Sequence, residues 1–370
     1  MSAATPLPET RVLAIASHVV SGHVGNKIAV FAMQSLGCDV AALNTVQFSN
    51  HTGYRQVRGT KTSAAEIWDL YEGLKQSYLD NFDMMLSGYV PGAASVEAVG
   101  RIAEALRARA QEQHETNSPG SFFWVLDPVM GDHGKLYVAD DVVPAYKQLL
   151  HHADLILPNQ FEAELLSGVA IVSMETLHEA IQVLHEQFQV PHVVITSVSL
   201  ASPDHPVSSL SVVGSSRTST GKARAFKIVF PAIDCYFSGT GDMFGALMVV
   251  RMREAVAAQE ASSQGADALL SRRAWLSDDA VESVDLPLAR AAEKVLASMH
   301  EVLSKTCEAM PAQMAKANAL LDRKGIVEAD ARAKALHLLK SGAAELKLPQ
   351  NVDSLRSPQV NFRAVKMEFK

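Results

Sequence analysis

The sequence predicts an α/β protein whose central sheet is mainly parallel and is covered by helices on both faces. Three observations support this prediction. Strand-like and helix-like patterns alternate over roughly the first two thirds of the 370 residues. The strand-like runs are apolar throughout, as is typical of parallel strands with both faces buried. After them the order changes, and two neighbouring runs indicate a small antiparallel edge or lid region.

The predicted elements follow one another from Arg11 onward. The parallel strands are expected in "RVLAIAS" (11–17), "DVAALNTVQFS" (39–49), "SFFWVLDPVMG" (121–131), "DLILPN" (154–159) and "HVVITSVSL" (192–200). Helices are expected over residues 25–37, 63–79, 94–113, 141–151, 161–168 and 173–188. The second of these helices starts with a capping box, Ser63 and Glu66. "SSLSVVGSS" (208–216) and "ARAFKIVFPAI" (223–233) should pair antiparallel, and helix should dominate from Pro287 to Met310.

Domain organisation is expected to be simple. We expect residues 1–10 to be a disordered leader and residues 11–370 to form a single domain. Two segments are interpreted as insertions, 260–285 and 311–344, because their periodicity is weak or their composition is rich in Ala and Lys. Both are expected to be flexible loops or surface helices.

Composition excludes several classes of function. The net charge of −7 gives no general attraction to nucleic acid or to anionic lipid. No apolar run reaches the ~20 residues of a membrane span, and the stretch "MSAATPLPETR" lacks the apolar core that a signal sequence would have. The three cysteines lie far apart without metal-binding spacing, which favours reduced thiols. We therefore expect a cytoplasmic protein, with a nuclear presence left open.

The stretch "CYFSGTGDMFGALMVV" (235–250) carries the strongest candidate for catalysis. Gly239, Thr240 and Gly241 allow backbone N–H groups to converge on an oxyanion or a transferring phosphoryl group. Asp242 could then accept a proton from an attacking hydroxyl group. The alternative is that Asp242 only caps a buried helix.

Other polar residues fall where parallel strands end, which is the edge at which open α/β sheets bind ligands. Asn159 and Glu162 share one helical face, and Glu162 could bind Mg²⁺ beside nucleotide phosphates, or lie on a solvated surface. Asp127 and Asp132 flank "PVMG" and suit a cation or phosphate site, or only a turn. Thr196 and Ser197 could contact a phosphate or a cation, or they could only cap the end of their strand.

The first two strands end in further polar groups. Ser17 and Thr52 are better placed to bind an organic substrate than the neighbouring histidines, His18, His23 and His51. Two other patterns are rejected. "GSSRTSTGKA" has six residues between its glycines, not the four of a Walker loop. The spacing of Gly239, Gly241 and Gly245 is one residue too long for a dinucleotide fingerprint.

Taken in order, these motifs resemble the pyridoxal kinases of the ribokinase-like superfamily. The resemblance extends from about Arg11 to Leu247, with a weaker echo in "ELKLPQNVDSLRSPQVNFRAVKM" (345–367). It is carried by "RVLAIASHVVSGHVGN", "SNHTGY", "LSGYV", "LDPVMGD", "LPNQFEAE", "VVITS" and "FSGTGDMFGAL". The "SNHTGY" block is its most specific part, because sugar and hydroxymethylpyrimidine kinases share the GTGD and NxxE motifs.

The resemblance implies a ribokinase-like three-layer fold and ATP-dependent phosphorylation of the 5′-hydroxymethyl group of pyridoxal, pyridoxine or pyridoxamine. Asp242 would be the base, and Gly239, Thr240 and Gly241 would form the anion hole. The vitamin would be bound by Ser17, Val24, Thr52, Tyr89, Tyr137 and Asp242. ATP would be bound by Asp127, Asp132, Asn159, Glu162, Thr196, Ser197, Ile233, Asp234, Cys235 and Thr240. Mg²⁺ or another divalent cation would be bound by Asp127, Glu162 and Thr196.

The resemblance also implies a homodimer. One departure concerns a monovalent cation, because Leu157 stands where some relatives carry a threonine and its side chain has no oxygen to offer.

Two alternatives remain open at this stage. The chain could phosphorylate hydroxymethylpyrimidine or a sugar, or it could be a non-catalytic carrier of pyridoxal 5′-phosphate.

Overall fold

The computed structural model describes residues 7–113, 120–200, 209–262, 268–326 and 328–368. The strands are β1 (Arg11–Val19), β2 (Asp39–Phe48), β3 (Gly59–Lys61), β4 (Met84–Ser87), β5 (Phe123–Leu126), β6 (Gly131–Asp132), β7 (Lys135–Leu136), β8 (Leu155–Ile156), β9 (His192–Val198), β10 (Ser209–Arg217), β11 (Ala223–Pro231) and β12 (Val365–Lys366). The α-helices are α1 (Asn26–Ser35), α2 (Ala64–Gln76), α3 (Ala93–Gln113), α4 (Val142–Leu149), α5 (Gln160–Ser167), α6 (Met174–Glu186), α7 (Thr240–Ser262), α8 (Pro287–Arg323), α9 (Ala329–Ala343) and α10 (Val352–Arg356). Single turns of 3-10 helix lie at Thr52–Tyr54, Leu150–His152, Leu269–Ser271, Arg273–Trp275, Ser283–Asp285 and Pro349–Asn351.

The strands of the described residues form one large sheet and one small hairpin. The sheet has the order β12-β11-β10-β9-β8-β5-β4-β1-β2-β3, and β6 pairs with β7. Neighbours from β2 to β9 are parallel. The pairs β2–β3, β9–β10, β10–β11 and β11–β12 are antiparallel. The predicted fold class, a mainly parallel sheet with a small antiparallel edge and lid region, is therefore confirmed.

Two apolar layers cover the sheet because successive strand residues point to opposite faces. Ala14 of β1 faces the layer of α1, α7 and α8, and its neighbour Ile15 faces the layer of α2, α3, α4 and α6. Every residue of α7 from Met243 to Met252 is buried, so this helix runs through the interior. The first turn of α7 is consequently fixed by packing on the sheet.

The two segments interpreted as insertions contain more regular structure than their periodicity indicated. Helix α8 continues through Pro311 to Arg323, and α9 follows, so residues 311–344 are helical over most of their length. Within 260–285, Trp275 is almost completely buried and stacks on Phe123 with ring centroids 4.1 Å apart. The described part of this segment is therefore packed against the sheet.

Most of the predicted disordered leader, residues 1–6, lies outside the described residues. Of the remainder, Thr10 is buried and its hydroxyl group donates to the carbonyl of Pro8 (2.7 Å). Among the helices that the structure describes, none combines the length and the apolar character needed to cross a membrane.

Candidate active site

The first turn of α7 forms the centre of the candidate site. Gly239 precedes the helix, and its carbonyl accepts the N–H of Met243 (3.0 Å), which closes the first turn. The N–H groups of Thr240, Gly241 and Asp242 therefore have no partner four residues back and remain available for an anion. Gly239 has a φ of +82°, and a β-carbon there would lie 2.5 Å from the carbonyl oxygen of His23. Only glycine fits this close approach.

Asp242 is held by the loop that follows β1. The backbone N–H of Gly25 donates to the Asp242 carboxylate, and burial raises the pKa of this group while that hydrogen bond lowers it. The net shift is upward, which makes Asp242 a stronger base than an exposed aspartate. Gly25 has a φ of +55°, and a β-carbon at this position would lie 2.0 Å from the carbonyl oxygen of Ser17. The sequence "SGHVGN" therefore brings this loop against both β1 and the carboxylate.

Asp127, just after β5, adds a second carboxylate, and this one is buried. A β-carbon at Gly241 would lie 3.7 Å from Asp127 Oδ2, so the two residues are close neighbours. Burial raises the pKa of Asp127 well above its ordinary value, and the negative charges of Glu162 and Asp242 raise it further. A bound cation would relieve this accumulation of negative charge.

Glu162 and Asn159 form a capping box at the start of α5. Asn159 Oδ1 accepts the N–H of Glu162 (2.9 Å), and Glu162 Oε2 accepts the N–H of Asn159 (2.9 Å). Glu162 Oε1 also accepts the N–H of Met130 (2.8 Å), which ties α5 to the loop after β5. Glu162 is buried and is not part of a solvated surface. Burial raises its pKa to about 7, although these backbone hydrogen bonds act in the opposite direction.

A cavity of about 780 Å³ opens beside the first turn of α7. This volume is within the range of small-molecule and cofactor sites. Six of the residues predicted to bind ATP lie on its wall, namely Asp132, Thr196, Ser197, Ile233, Cys235 and Thr240. Of the other four, Asp127 lies beside Gly241, and Asn159 donates from Nδ2 to the Gly131 carbonyl (2.7 Å). Glu162 accepts the N–H groups of Met130 and Gly131, at the start of the β6–β7 hairpin. Asp234 is exposed and does not line the cavity.

Ser197 has an unusual backbone conformation for a strand residue. Its φ is +53°, which is uncommon for residues other than glycine. The register between β9 and β10 shifts nearby, between Ser211 and Val213. Backbone irregularities of this kind are frequent at functional sites. Here the irregularity occurs where Thr196 and Ser197 reach the cavity wall.

Apart from Tyr137 and Asp242 itself, the residues predicted to bind the vitamin lie in or just after β1, β2 and β4. Ser17 and Val24 belong to the β1 strand and its loop, and a β-carbon at Gly239 would lie 3.3 Å from Val24 Cγ1. Thr52 begins the 3-10 turn after β2 and is exposed. Tyr89 follows Gly88, whose β-carbon would lie 3.8 Å from Asp242 Oδ1.

Tyr137 occupies a different position. It follows the hairpin strand β7, and 63% of its surface is exposed. Partial burial, followed by the charges of Asp132 and Tyr236, raises its pKa. Tyr137 does not line the cavity, although Asp132 and Tyr236, whose charges act on it, both do.

One expectation about cysteine is wrong. Cys235 and Cys307 are joined by a disulfide, so the loop before the anion hole is linked to α8, and only Cys38 is a free, buried thiol among the described residues. Burial raises the pKa of Cys38 to about 12. Sequence spacing did not reveal the bond because 72 residues separate its two cysteines.

Sequence analysis also missed the apolar wall of the cavity. It is formed by Phe230, Phe244, Leu296, Met299 and Leu303. The last three recur on one face of α8 at helical spacing, which was the only signal in the sequence. A wall of this kind suits a flat aromatic ring, as in an adenine base.

Comparison with known proteins agrees with this geometry. A family profile described as phosphomethylpyrimidine kinase matches residues 99–274. A putative pyridoxal kinase from Schizosaccharomyces pombe is 37% identical over 306 residues, which cover 82% of this chain and 87% of that protein. The pyridoxal kinase from Homo sapiens is 38% identical over 250 residues, 65% of this chain and 77% of that protein.

A solved structure extends the similarity to nearly the whole chain. It is the pyridoxal kinase from Leishmania donovani in complex with ADP and pyridoxamine, with a TM-score of 0.74 at 29% identity, over 97% of this chain and 100% of that one. The fold and the family profile define a small-molecule kinase of the ribokinase-like class. Within that class, the chain belongs to the pyridoxal kinase family, as its identity to the Schizosaccharomyces pombe relative shows.

The disulfide predicts a specific number of free thiols. We expect the protein, denatured without reductant, to expose one thiol per chain to a thiol-reactive dye, and three after reduction. The Cys307→Ser variant should show two thiols in both conditions, because Cys235 would then be free. Because disulfides form and persist under oxidising conditions, the protein should be purified without reductant, and three thiols before reduction would then contradict the bond.

The raised pKa of Glu162 predicts a pH dependence of stability. The folded protein holds this proton more tightly than the unfolded chain, because the pKa rises from 4.5 to about 7 on folding. The contribution of this group to stability is therefore fully present below pH 4.5 and is lost as the pH rises to about 7. Urea unfolding of the metal-free protein should show this loss.

The matched variants are Glu162→Gln and Glu164→Gln, both on α5. Glu164 accepts the N–H of Ile171 (2.8 Å) and serves as the control. The difference in the pH slope between wild type and Glu162→Gln should appear between about pH 4.5 and 7. An unchanged slope in Glu162→Gln, or an equal change in Glu164→Gln, would contradict the assignment.

Proposed function

We propose that this chain transfers the γ-phosphoryl group of ATP to the 5′-hydroxymethyl group of pyridoxal, and also of pyridoxine and pyridoxamine. The products are pyridoxal 5′-phosphate, or the corresponding vitamer phosphate, and ADP. One observation carries the proposal: Asp242 lies in the first turn of α7, next to Thr240 and Gly241 on the wall of a nucleotide-sized cavity, and its carboxylate accepts an N–H from the loop after β1. Solved structures of the Leishmania donovani relative contain ADP with pyridoxamine or with pyridoxine, which supports it.

The proposed step uses Asp242 as the general base. Its carboxylate accepts the hydroxyl proton while the hydroxymethyl oxygen attacks the γ-phosphorus. A new bond forms between that oxygen and phosphorus, and the bond from phosphorus to the β–γ bridging oxygen breaks. ADP leaves with the electron pair. We propose that backbone N–H groups of the turn formed by Gly239, Thr240 and Gly241 stabilise the negative charge on the phosphoryl oxygens.

A divalent cation fits the carboxylates of the site. We propose that Asp127, Glu162 and Thr196 would hold Mg²⁺ together with the ATP phosphates. The fit rests on Asp127, which is buried, accumulates negative charge with Glu162 and Asp242, and has a raised pKa as a result. Although Glu162 already accepts backbone N–H groups, an ionised carboxylate has about four acceptor positions, so capacity remains. When bound, the cation neutralises phosphate charge and orients the γ-phosphoryl group.

Residue roles in binding follow the same division of the site. We propose that the cavity residues Asp132, Thr196, Ser197, Ile233, Cys235 and Thr240 contact ATP, with Asp127, Asn159, Glu162 and Asp234 as the further predicted contacts. Ser17, Val24, Thr52, Tyr89 and Tyr137 are proposed to surround the vitamin. We also propose a single kinase domain over residues 11–370 and a cytoplasmic homodimer, as the family resemblance implies.

A second candidate is a hydroxymethylpyrimidine kinase. The description of the matching family profile, phosphomethylpyrimidine kinase, favours it for residues 99–274. That profile, however, does not include Ser17, Val24 or the "SNHTGY" block, which lie before residue 99. The choice of acceptor is expected to depend on those residues, since they form the loops next to Asp242.

Removal of the base tests the chemistry. We expect Asp242→Asn to lower kcat by ~10²–10⁴-fold, because the amide cannot accept the hydroxyl proton. Calorimetric titration should show that pyridoxal and a non-hydrolysable ATP analogue still bind, which separates catalysis from folding. Turnover within about threefold of wild type would show that Asp242 only caps α7, as a non-catalytic carrier would allow.

A panel of acceptors tests the substrate. With coupled detection of ADP, pyridoxal should be phosphorylated with a higher kcat/KM than hydroxymethylpyrimidine or ribose. Faster turnover of either of the last two would overturn the assignment.

The rates in K⁺ and in Na⁺ should be alike, because the Leu157 side chain is buried near Gly245 of α7 and offers no oxygen. A strong preference for K⁺ would show that other ligands bind a monovalent cation.

A further inference from the structure

Glu345 is a buried carboxylate that lies outside the proposed machinery but contacts two of its loops. It follows α9 and is 8% exposed. Its Oε2 accepts the backbone N–H of His23 (2.7 Å) in the loop after β1. Its Oε1 accepts the hydroxyl group of Tyr54 (3.0 Å) and lies 3.2 Å from His51 Nε2, both after β2. One carboxylate therefore joins the two loops that are proposed to bind the vitamin.

The contacts favour an ionised Glu345. Burial alone would raise its pKa, but the contact with His51, the N–H of His23 and the hydroxyl of Tyr54 together hold the pKa below its ordinary value. Conversely, burial and the Glu345 carboxylate raise the pKa of Tyr54, so the phenol stays protonated and donates. A buried charge is tolerated only where such donors surround it.

The loop held by Glu345 also touches the reacting groups. A β-carbon on Gly239 would lie only 2.5 Å from the carbonyl oxygen of His23, so the loop packs directly against Gly239. Two residues further along the loop, the N–H of Gly25 donates to Asp242. A short stretch of backbone, His23 to Gly25, therefore joins the Glu345 carboxylate to the anion hole and to the base.

The second loop is held in the same way, with α9 as an additional support. His337 Nε2 lies 2.9 Å from the carbonyl oxygen of Gly53, and Tyr54 Oη lies 3.5 Å from the β-carbon position of Gly342. A β-carbon at Gly53 would lie 3.5 Å from Ser238 Oγ, immediately before the anion hole. The C-terminal part of the chain thus packs against the loop that carries Thr52.

We propose that Glu345 is a positioning residue for phosphoryl transfer. Its carboxylate fixes the loops after β1 and β2 relative to Asp242, so that the vitamin's hydroxymethyl group meets the base. The inference rests on the proposed function, because it assigns Glu345 to the acceptor side of that reaction. It also gives α9, in a segment interpreted as an insertion, a role in assembling the site.

The test compares two buried carboxylates that both accept a backbone N–H. Glu345→Gln keeps the shape of the side chain and removes its charge. Glu293→Gln is the matched control. Glu293 of α8 is 3% exposed and accepts the N–H of Ala364 (2.9 Å), the residue before β12. Steady-state kinetics are measured for each substrate separately, with thermal unfolding in parallel.

We expect Glu345→Gln to lower kcat/KM for pyridoxal by ~10–100-fold, which corresponds to the loss of one or two charged hydrogen bonds. Its KM for ATP should stay within about twofold of wild type. Glu293→Gln should lose comparable thermal stability while keeping its KM for pyridoxal. If Glu345→Gln does not fold, Tyr54→Phe removes one contact and should lower kcat/KM for pyridoxal by ~3–10-fold.

Two outcomes would overturn the inference. One is a Glu345→Gln enzyme with wild-type kcat and KM for pyridoxal. The other is an equal loss for both substrates in both glutamine variants, which would show general destabilisation. A wild-type protein that does not phosphorylate pyridoxal would instead refute the proposed function, and the variants would then be compared with the acceptor that the wild type does use.

Discussion

Three neighbouring carboxylates, Asp127, Glu162 and Asp242, impose the main constraint on this structure. Each has a raised pKa, and burial is the largest cause in all three cases. Buried like charges are unfavourable unless donors or cations compensate them. Backbone N–H groups supply part of the compensation, from Met130 and Asn159 to Glu162 and from Gly25 to Asp242. The remaining charge makes the site suited to a cation and a phosphoryl group.

The backbone that compensates these carboxylates must come very close to them. That is the physical reason for the glycines in "SGHVGN" and "SGTGD". Gly25 and Gly239 have positive φ values, and a β-carbon on either would overlap a carbonyl oxygen. Their absence of side chains is therefore a requirement of the site geometry, and the apolar packing of α7 below keeps the two loops in place.

The C-terminal third of the chain completes both sides of the site. Helix α8 contributes Leu296, Met299 and Leu303 to the apolar wall of the cavity and is joined to the loop before α7 by the Cys235–Cys307 disulfide. Glu345, after α9, contacts the loops after β1 and β2. The same region has the weakest motif content of the chain, so its contribution is one of packing and support around motifs that lie elsewhere.

The sequence by itself determined the fold class, the bounds of most elements and the motifs at the strand ends. These are local properties: apolar patterns predict β1 and α1, a capping box predicts the start of α2, and the glycines around Thr240 predict a turn open to an anion. Only the tertiary structure decided that Glu162 is buried, that Cys235 meets Cys307, and that Glu345 reaches His23 across 322 residues. Such contacts depend on how the chain folds back on itself, and a single sequence carries no local signal for which distant residues will meet.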